Sequence, residues 1–217
     1  MSDVKGLSAD SPFIELLGDL PAASLLSYVH GSWAAYATSY KNATPPLHKR
    51  TEPQLTKALA AYLRQQQDAG NQPIPGHFFA ELSDYILDED GLPVCIGRTD
   101  IEWRLYGYPR FVIEFKVLDG TAARRQRYLF DGVLRFVDGR YASSARVSSM
   151  FAFMLCDPSN DVTALKAELR KSGPLRCVGV RDPSQLFSIA SFDSIHDRAS
   201  PHLTPFQLAH VFVSLSE

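Results

Sequence analysis

Three consecutive strand patterns constrain the fold of this chain more than any other feature. From His77 to Leu118, short apolar, β-branched and aromatic runs alternate with turn residues, which predicts antiparallel strands. The expected strands are Phe78 to Leu87, Cys95 to Tyr106, and Arg110 to Leu118. Gly107-Tyr108-Pro109 favours a turn between the second and third of them, because Gly and Pro fit a turn more easily than a strand ladder. These two strands are therefore predicted to form a hairpin.

Helical patterns precede and follow the three strands. Residues 20–40 carry apolar side chains at helical spacing, namely Leu25, Leu26, Val29, Trp33 and Tyr36. A second helix is expected to run to about Asp68, with Thr51 as its N-cap, Pro53 in its first turn and Gln54 three positions after the cap. A long helix is predicted from about Thr121 to Phe136, and an extension to Tyr141 is left open. Two turn signals, Asp131-Gly132 and Asp138-Gly139, complicate this assignment.

The C-terminal part predicts further alternation of strands and helices. Met150 to Cys156 is a continuous apolar run that suits a strand covered on both faces. Asp161 to Lys171 has a helical pattern, two short strands are expected at Leu175 to Val180 and Leu186 to Ala190, and Pro205 to Leu215 is interpreted as a closing helix. The order of elements predicts an α/β protein with a mixed sheet flanked by helices.

The composition is that of a soluble globular protein. The chain has 217 residues, 45% hydrophobic and 21% charged, without an apolar run long enough to cross a bilayer. Its first residues lack the basic start and apolar block of an export signal, so we expect a cytoplasmic protein without a membrane partner. The three cysteines form no CxxC pair, which argues against a disulfide framework or a zinc ribbon.

Charge is unevenly distributed along the chain. The segment from Arg98 to Arg146 holds ten basic and six acidic residues and therefore carries +4, in a chain whose net charge is −2. A basic zone around acidic residues suits a site that cuts phosphodiesters, because cations hold the backbone and carboxylates hold a metal. Ordinary surface charge is the alternative interpretation.

The predicted hairpin brings two carboxylates together. Asp100 and Glu114 are each seven residues from Gly107, so a turn at that glycine places them about opposite each other. Cross-strand neighbours have Cβ atoms roughly 5 Å apart, and two carboxylates at that separation repel unless a cation lies between them. Lys116 shares the face of Glu114, because alternate side chains of a strand point the same way.

Thr99-Asp100, then Glu114-Phe115-Lys116, then a helix carrying Gln126 resembles the PD-(D/E)XK nuclease superfamily. The resemblance covers roughly Glu52 to Cys156 and implies a restriction endonuclease-like αβββαβ core. Thr99 stands where the family's nominal proline would be, at a position that varies in the family. We accordingly expect an N-terminal helical extension over 1–48 and a nuclease-like domain over 49–217.

The resemblance also implies the roles of individual residues. The metal ligands would be Asp100, Glu114, the backbone carbonyl of Phe115 and, from the preceding helix, Glu52. Lys116 would position or activate the attacking water, and Gln126 would lie near the metal or the scissile phosphate. The expected cofactor is Mg²⁺, with Mn²⁺ as an alternative, because Mg²⁺ takes only one or two carboxylates and leaves room for phosphate and water.

Four arginines are candidates for binding nucleic acid. Arg98 is interpreted either as a phosphate contact or as a member of an ordinary ion pair. Arg124, Arg125 and Arg127 open the long helix, where cations oppose the helix dipole, which favours phosphate binding slightly over solvation. His196-Asp197 lacks an accompanying nucleophile motif and is interpreted as part of a loop.

The resulting hypothesis is a Mg²⁺-dependent nuclease that hydrolyses DNA. By analogy with small members of the superfamily, it would serve bacterial restriction or anti-phage defence, with a protein partner that supplies recognition or ATP-driven control. A homodimer and cleavage of RNA are open alternatives. A different class of function is also open, that of a catalytically silent nuclease-fold subunit of a larger nucleic-acid-processing assembly.

Overall fold

A computed structural model describes residues 22–87, 93–106, 110–143, 145–171, 173–199, 202 and 205–215. Its helices are α1 (Ala22–Ser39), α2 (Glu52–Asp68), α3 (122–137) and α4 (Pro158–Leu169), and a short 3-10 turn spans Leu47–Lys49. Its strands are β1 (His77–Leu87), β2 (Pro93–Arg104), β3 (Phe111–Leu118), β4 (Val147–Met154), β5 (Cys177–Arg181), β6 (Phe192–His196) and β7 (Phe206–Ser214). The predicted turn at Gly107-Tyr108-Pro109 and residues 1–21 lie outside the described residues.

The seven strands form one mixed sheet in the order β1-β2-β3-β4-β7-β6-β5. The central strands β3, β4 and β7 run parallel, whereas the outer strands on both sides pair antiparallel. The prediction of an α/β protein with a mixed sheet and flanking helices is therefore confirmed.

Each face of the sheet is covered by its own hydrophobic core. Helices α1 and α2 pack on one face, where Ile113, Phe115 and Val117 of β3 point. Helices α3 and α4 pack on the other, where Val112 and Leu118 point. All of β3 is consequently buried, and a polar side chain on it needs a partner inside the protein. Because α1 shares a core with α2 and the sheet, it is part of the same packed unit, and the boundary expected at residue 48 stays a prediction.

The start of α2 follows the predicted capping pattern. Gln54 Oε1 accepts a hydrogen bond of 2.8 Å from the backbone N–H of Thr51, and the Thr51 side chain accepts one from the backbone N–H of Gln54, which completes a capping box. Leu55, Leu59 and Leu63 are fully buried against the sheet. This geometry places Glu52 at the first helical position, next to the sheet.

The register predicted for the β2–β3 hairpin is confirmed. Ile101 pairs with Ile113, Glu102 with Val112 and Trp103 with Phe111, so the residue numbers of each pair are symmetric about position 107. The backbone ladder ends at Ile101, and the next step along both strands is Asp100 and Glu114.

Helix α3 is continuous but changes its winding over the Asp131-Gly132 signal. Regular α-helix at Ala122–Tyr128 passes through a π-helical turn at Leu129–Val133 into Leu134–Val137. A Cβ at Gly132 would lie 2.5 Å from Met150 Cε, so glycine allows the helix to approach the sheet closely. The predicted long helix is confirmed, without the extension to Tyr141.

The prediction of a closing helix at Pro205 to Leu215 is wrong, because Phe206–Ser214 forms strand β7. This strand pairs in parallel with all of β4 and is buried between the two cores. A strand covered on both faces has a near-continuous apolar run, which periodicity does not distinguish from a buried helix.

The strand predicted at Leu186 to Ala190 is also misplaced. The buried carboxylate of Asp193 accepts hydrogen bonds from the backbone N–H groups of Gln185 and Leu186, at 2.6 and 3.1 Å. Ser184 Oγ caps the same turn by accepting from the backbone of Phe187 at 3.1 Å. These bonds curl the chain, and the strand follows at Phe192–His196. Within the described residues no helix is both long and apolar enough to cross a membrane.

Candidate active site

The Asp100 carboxylate accepts a hydrogen bond from β3 at the position where the backbone pairing of β2 with β3 ends. Its Oδ2 accepts a hydrogen bond of 2.8 Å from the backbone N–H of Phe115, on the neighbouring strand. Burial raises the pKa of Asp100, although the Lys116 charge and the Phe115 N–H oppose that increase. The side chain is thus fixed at the point where β2 and β3 stop pairing.

Glu114 is a buried acid with an unsatisfied oxygen. Only 1% of the residue is exposed, and its Oε2 has no hydrogen-bond partner. Burial, followed by the negative charge of Asp100, raises the pKa of Glu114 to about 8. Leaving a buried carboxylate oxygen unpaired is costly, so this position calls for a proton or an additional cation.

Lys116 lies at the centre of the cluster. Its Nζ donates hydrogen bonds to Glu114 Oε1 at 2.7 Å, to the Phe115 carbonyl oxygen at 2.8 Å and to Glu52 Oε1 at 3.3 Å. Burial lowers the pKa of Lys116, but the charges of Glu114, Glu52 and Asp100 together raise it above its usual value. At neutral pH the side chain is therefore an ammonium ion.

Glu52, in the first turn of α2, is the fourth member of the cluster. Its second carboxylate oxygen, Oε2, accepts a hydrogen bond of 3.1 Å from the backbone N–H of Val117. An acid in the first turn of α2 is also favoured by the helix dipole. The structure thereby brings together Glu52, Glu114, Lys116 and the Phe115 carbonyl, as the sequence predicts.

The oxygens expected to hold a metal contact an internal cation. Lys116 Nζ meets three of the four predicted ligand groups, all except Asp100. Among the described residues, no group of three or more His, Cys, Asp or Glu side chains is arranged to hold a metal ion. Glu114 Oε2 is nevertheless a buried hard oxygen without a hydrogen-bond partner, and Asp100 lies beside it; carboxylate oxygens of this kind are the ligands that Mg²⁺ takes.

Gln126 is not part of this cluster. It lies exposed on α3, and its side chain makes no hydrogen bond within the described part of the chain. Its role near a metal or phosphate stays a prediction.

Two of the four candidate arginines make weak surface ion pairs. Arg98 is 3.5 Å from Glu81, and Arg124 is 3.7 Å from Asp119, with substantial exposure of both arginine side chains. Such pairs contribute little and leave the guanidinium groups accessible to phosphate. Arg127 is also exposed.

Arg125 has a structural partner instead. Its Nη1 lies 2.7 Å from Asp161 Oδ1 and donates a bond of 2.8 Å to the Gly120 carbonyl. Asp161 is fully buried on α4 and also accepts from the Gly120 N–H at 3.0 Å. Arg125 therefore ties the start of α3 to α4.

Arg135 is a site residue that the sequence analysis missed. Its Nη1 lies 4.0 Å from Glu114 Oε1 and donates a hydrogen bond of 2.5 Å to the Tyr141 hydroxyl. No local sequence signal indicates this contact, which depends on how closely α3 approaches the sheet: a Cβ at Gly132 would lie 3.8 Å from Lys116 Cε. The close approach of α3 at that glycine brings the next turn, with Arg135, to the carboxylates.

The interpretation of His196 as a loop residue is wrong. It ends β6, fully buried, and donates from Nδ1 to the Leu175 carbonyl at 2.6 Å. The Nε2 atom of His196 must then accept a hydrogen bond from Ser194 Oγ. Ser194 Oγ in turn accepts from His210 Nε2, and His210 Nδ1 accepts from Tyr128 Oη. Each of these three bonds is 2.7 Å long. Burial lowers the pKa of His196 to about 4 and that of His210 well below its usual value, so both rings are neutral. This chain of bonds satisfies polar groups between α3 and the sheet.

Comparison with protein-family models, curated proteins and solved structures finds no significant match for this chain. The fold and the site define an α/β protein in which an acidic pair and a lysine are buried where strands β2 and β3 stop pairing.

Proposed function

We propose that this chain is a metal-dependent nuclease of the PD-(D/E)XK type that hydrolyses DNA phosphodiester bonds. The observation that carries the proposal is the Glu114 carboxyl group, which is 1% exposed, has one unsatisfied oxygen and lies beside Asp100 and Lys116. Proteins rarely retain such an unfavourable group without a functional reason, and clustered perturbed acids are typical of catalytic sites.

The order of elements supports the same proposal. From α2 to β4 the chain follows the sequence α-β-β-β-α-β, with β1, β2 and β3 antiparallel and β4 parallel to β3. This agrees with the restriction endonuclease-like core that the sequence resemblance implies. The acids and the lysine lie on the strands and helix that the resemblance assigns to them.

Asp100, Glu114, the Phe115 carbonyl and Glu52 are the groups that would hold Mg²⁺ or Mn²⁺. When bound, the ion supplies Lewis-acid chemistry, polarising the phosphate and lowering the pKa of a water molecule. Glu114 must lose its proton for this role, and Lys116 must release at least one of the oxygens that it contacts.

Lys116 acts in this proposal as a fixed positive charge. Its raised pKa excludes it as a proton acceptor at neutral pH, but an ammonium group donates hydrogen bonds to a hydroxide or to the developing charge on a phosphate oxygen. Arg135, half-buried and 4.0 Å from Glu114, supplies a second cation that suits a non-bridging phosphate oxygen.

We place this activity in bacterial restriction or anti-phage defence, with a protein partner that supplies recognition or ATP-driven control. The support is the analogy with small nucleases of similar sequence pattern. A homodimer that presents two sites to a duplex is a further option.

The test is a cleavage assay with labelled DNA and labelled RNA side by side in Mg²⁺ and in Mn²⁺. We expect the wild type to cut DNA, and Lys116→Ala and Asp100→Ala to lose at least about 100-fold in rate, the scale of removing one charge-stabilising group. Glu168→Gln removes an exposed carboxylate on α4 and should cut at the wild-type rate. Equal activity of all four proteins would indicate a contaminating nuclease and contradict the proposal.

A catalytically silent nuclease-fold subunit is the second candidate. The observation that favours it is the position of Lys116 Nζ, which already donates hydrogen bonds to three of the predicted metal-binding oxygens. Under this alternative, divalent metal neither binds at Asp100 nor activates the protein, whereas the nuclease proposal requires both.

A further inference from the structure

A hollow lined by three tyrosines lies between the end of α1 and the exposed side of α2. Its volume is about 310 Å³, and Tyr36, Tyr40, Tyr62, Arg50 and Gln65 contribute to its lining. That size is at the lower limit of small-molecule sites, which span about 300–1,000 Å³, and therefore suits one planar ring rather than a whole dinucleotide.

The tyrosines of the hollow differ in how much of each residue is exposed to solvent. Tyr36 is 6% exposed and forms the floor, whereas Tyr40 is 45% exposed at the rim. The ring centroids of these two are 4.8 Å apart and their planes differ by 33°, and Tyr62 meets Tyr36 edge-on at 5.9 Å. An exposed aromatic face beside a fixed one is the arrangement on which an unpaired base stacks.

Arg50 gives the hollow a positive charge that is already oriented. Its Nη1 donates to Tyr36 Oη at 2.6 Å and its Nε donates to the Pro45 carbonyl at 3.1 Å. Arginine has five N–H donors, so others remain for a phosphate. Residues 20–51 contain no aspartate or glutamate, and Lys41 and Lys49 are exposed on the same segment.

Arg50, which lines the hollow, is close in sequence to Glu52 of the candidate active site. Arg50 precedes Glu52 by two residues, which limits their Cα separation to about 7 Å. Glu52 contacts Lys116 at 3.3 Å. A strand held at Arg50 would therefore lie near the start of α2, where Glu52 is located.

We propose that this tyrosine hollow binds an unpaired nucleobase of single-stranded nucleic acid, with Arg50, Lys41 and Lys49 contacting the flanking phosphates. It rests on the proposed nuclease function in that the strand bound here is the substrate of the Glu114 site. The hollow recognises a feature that DNA and RNA share, namely a base that can stack and that is flanked by phosphates.

The experiment measures binding of fluorescein-labelled oligothymidylate, oligouridylate and a DNA duplex by fluorescence anisotropy in EDTA. We expect single strands to bind more tightly than the duplex. Tyr40→Ala should weaken single-strand binding about five-fold or more, the smallest effect of losing one base stack, and Tyr40→Phe should restore it. The preferred single strand identifies DNA or RNA as the source. Tyr106→Ala removes a fully exposed tyrosine elsewhere and serves as the matched control.

A second readout tests the phosphate contacts. The double variant Lys41→Gln/Lys49→Gln changes two exposed side chains and should reduce the slope of log affinity against log salt by about 1.4, the value for two single-strand phosphate contacts. Equal losses for Tyr40→Ala and Tyr106→Ala, an unchanged salt slope, or duplex binding that is tighter than single-strand binding would overturn the inference.

Binding in EDTA separates this inference from the nuclease proposal. If oligonucleotides bind through Tyr40 but are not cut in Mg²⁺, the hollow stands and the catalytic proposal fails. If DNA is cut with the same KM by wild type and Tyr40→Ala, the hollow fails and the catalytic proposal stands.

Discussion

The pH dependence of stability should reveal the buried acid directly. Glu114 has a pKa of about 8 in the folded protein, against a usual value of 4.5. Between these limits the folded state binds one more proton than the unfolded state, so the free energy of unfolding decreases as pH rises. The slope for one group is about 1.4 kcal/mol per pH unit, which over this interval amounts to about 5 kcal/mol. Glu114→Gln keeps the shape of the side chain and removes its titration.

The assay is urea unfolding of metal-free protein from pH 5 to pH 9. We expect the difference in free energy of unfolding, Glu114→Gln minus wild type, to increase by about 1.4 kcal/mol per pH unit up to pH 8 and then to level off. Groups that do not interact with Glu114 contribute equally to both proteins and cancel in the difference, which leaves Glu114 and the groups coupled to it, Asp100 and Lys116. Curves that stay parallel within about 0.5 kcal/mol from pH 6 to pH 8 would refute the argument, because Glu114 would then ionise normally.

Two further predictions concern the packing around the site. His196 has a folded pKa of about 4, below its usual 6.5, so its contribution is complete above pH 6.5 and is lost as pH falls towards 4. In the Glu114→Gln background, His196 alone should lower the free energy of unfolding by about 3 kcal/mol between pH 7 and pH 4, and the buried ring of His210 adds a loss of the same sign. A flat urea-unfolding curve would contradict the buried neutral rings. Asp161→Ala leaves Arg125 without its partner and should cost about 2 kcal/mol, less than a fully buried pair because Arg125 is partly exposed. Glu168→Gln, on the same helix but in an exposed pair, should change stability by less than about 0.5 kcal/mol, and equal losses for the two variants would exclude a structural role for Asp161.

The hairpin shows how much the sequence alone can predict. The position of Gly107 relates Asp100 to Glu114 by simple counting, and the observed pairs Ile101–Ile113 and Trp103–Phe111 have the predicted register. Local rules suffice here because the two strands are close together in the sequence. The capping residues of α2 were predictable for the same reason.

Features that depend on long-range packing could not be predicted. Whether Phe206–Ser214 is a strand depends on its pairing with β4, some fifty residues away in the chain, and its apolar pattern is compatible with either structure. Arg135 reaches Glu114 only because Gly132 lets α3 approach Met150. In both cases the deciding contact is tertiary.

The same limit applies to Lys116. Its place in a Glu-x-Lys pattern indicates a shared face with Glu114, but the sequence does not show that its ammonium contacts Glu52 and the Phe115 carbonyl as well. That contact depends on the packing of α2 against the edge of β3. Whether Lys116 releases these oxygens to a metal ion decides between a catalytic and a silent protein.

A metal titration followed by thermal unfolding tests whether Asp100 and Glu114 hold a divalent metal ion. At a Mn²⁺ or Mg²⁺ concentration ten times the dissociation constant, binding stabilises the folded state by about 1.4 kcal/mol, which raises Tm by a few degrees for a chain of this size. We expect this increase for wild type and for the Glu168→Gln control, and none for Asp100→Asn. An equal increase in all three proteins, or no increase in wild type at any concentration, would contradict a metal site at Asp100 and Glu114.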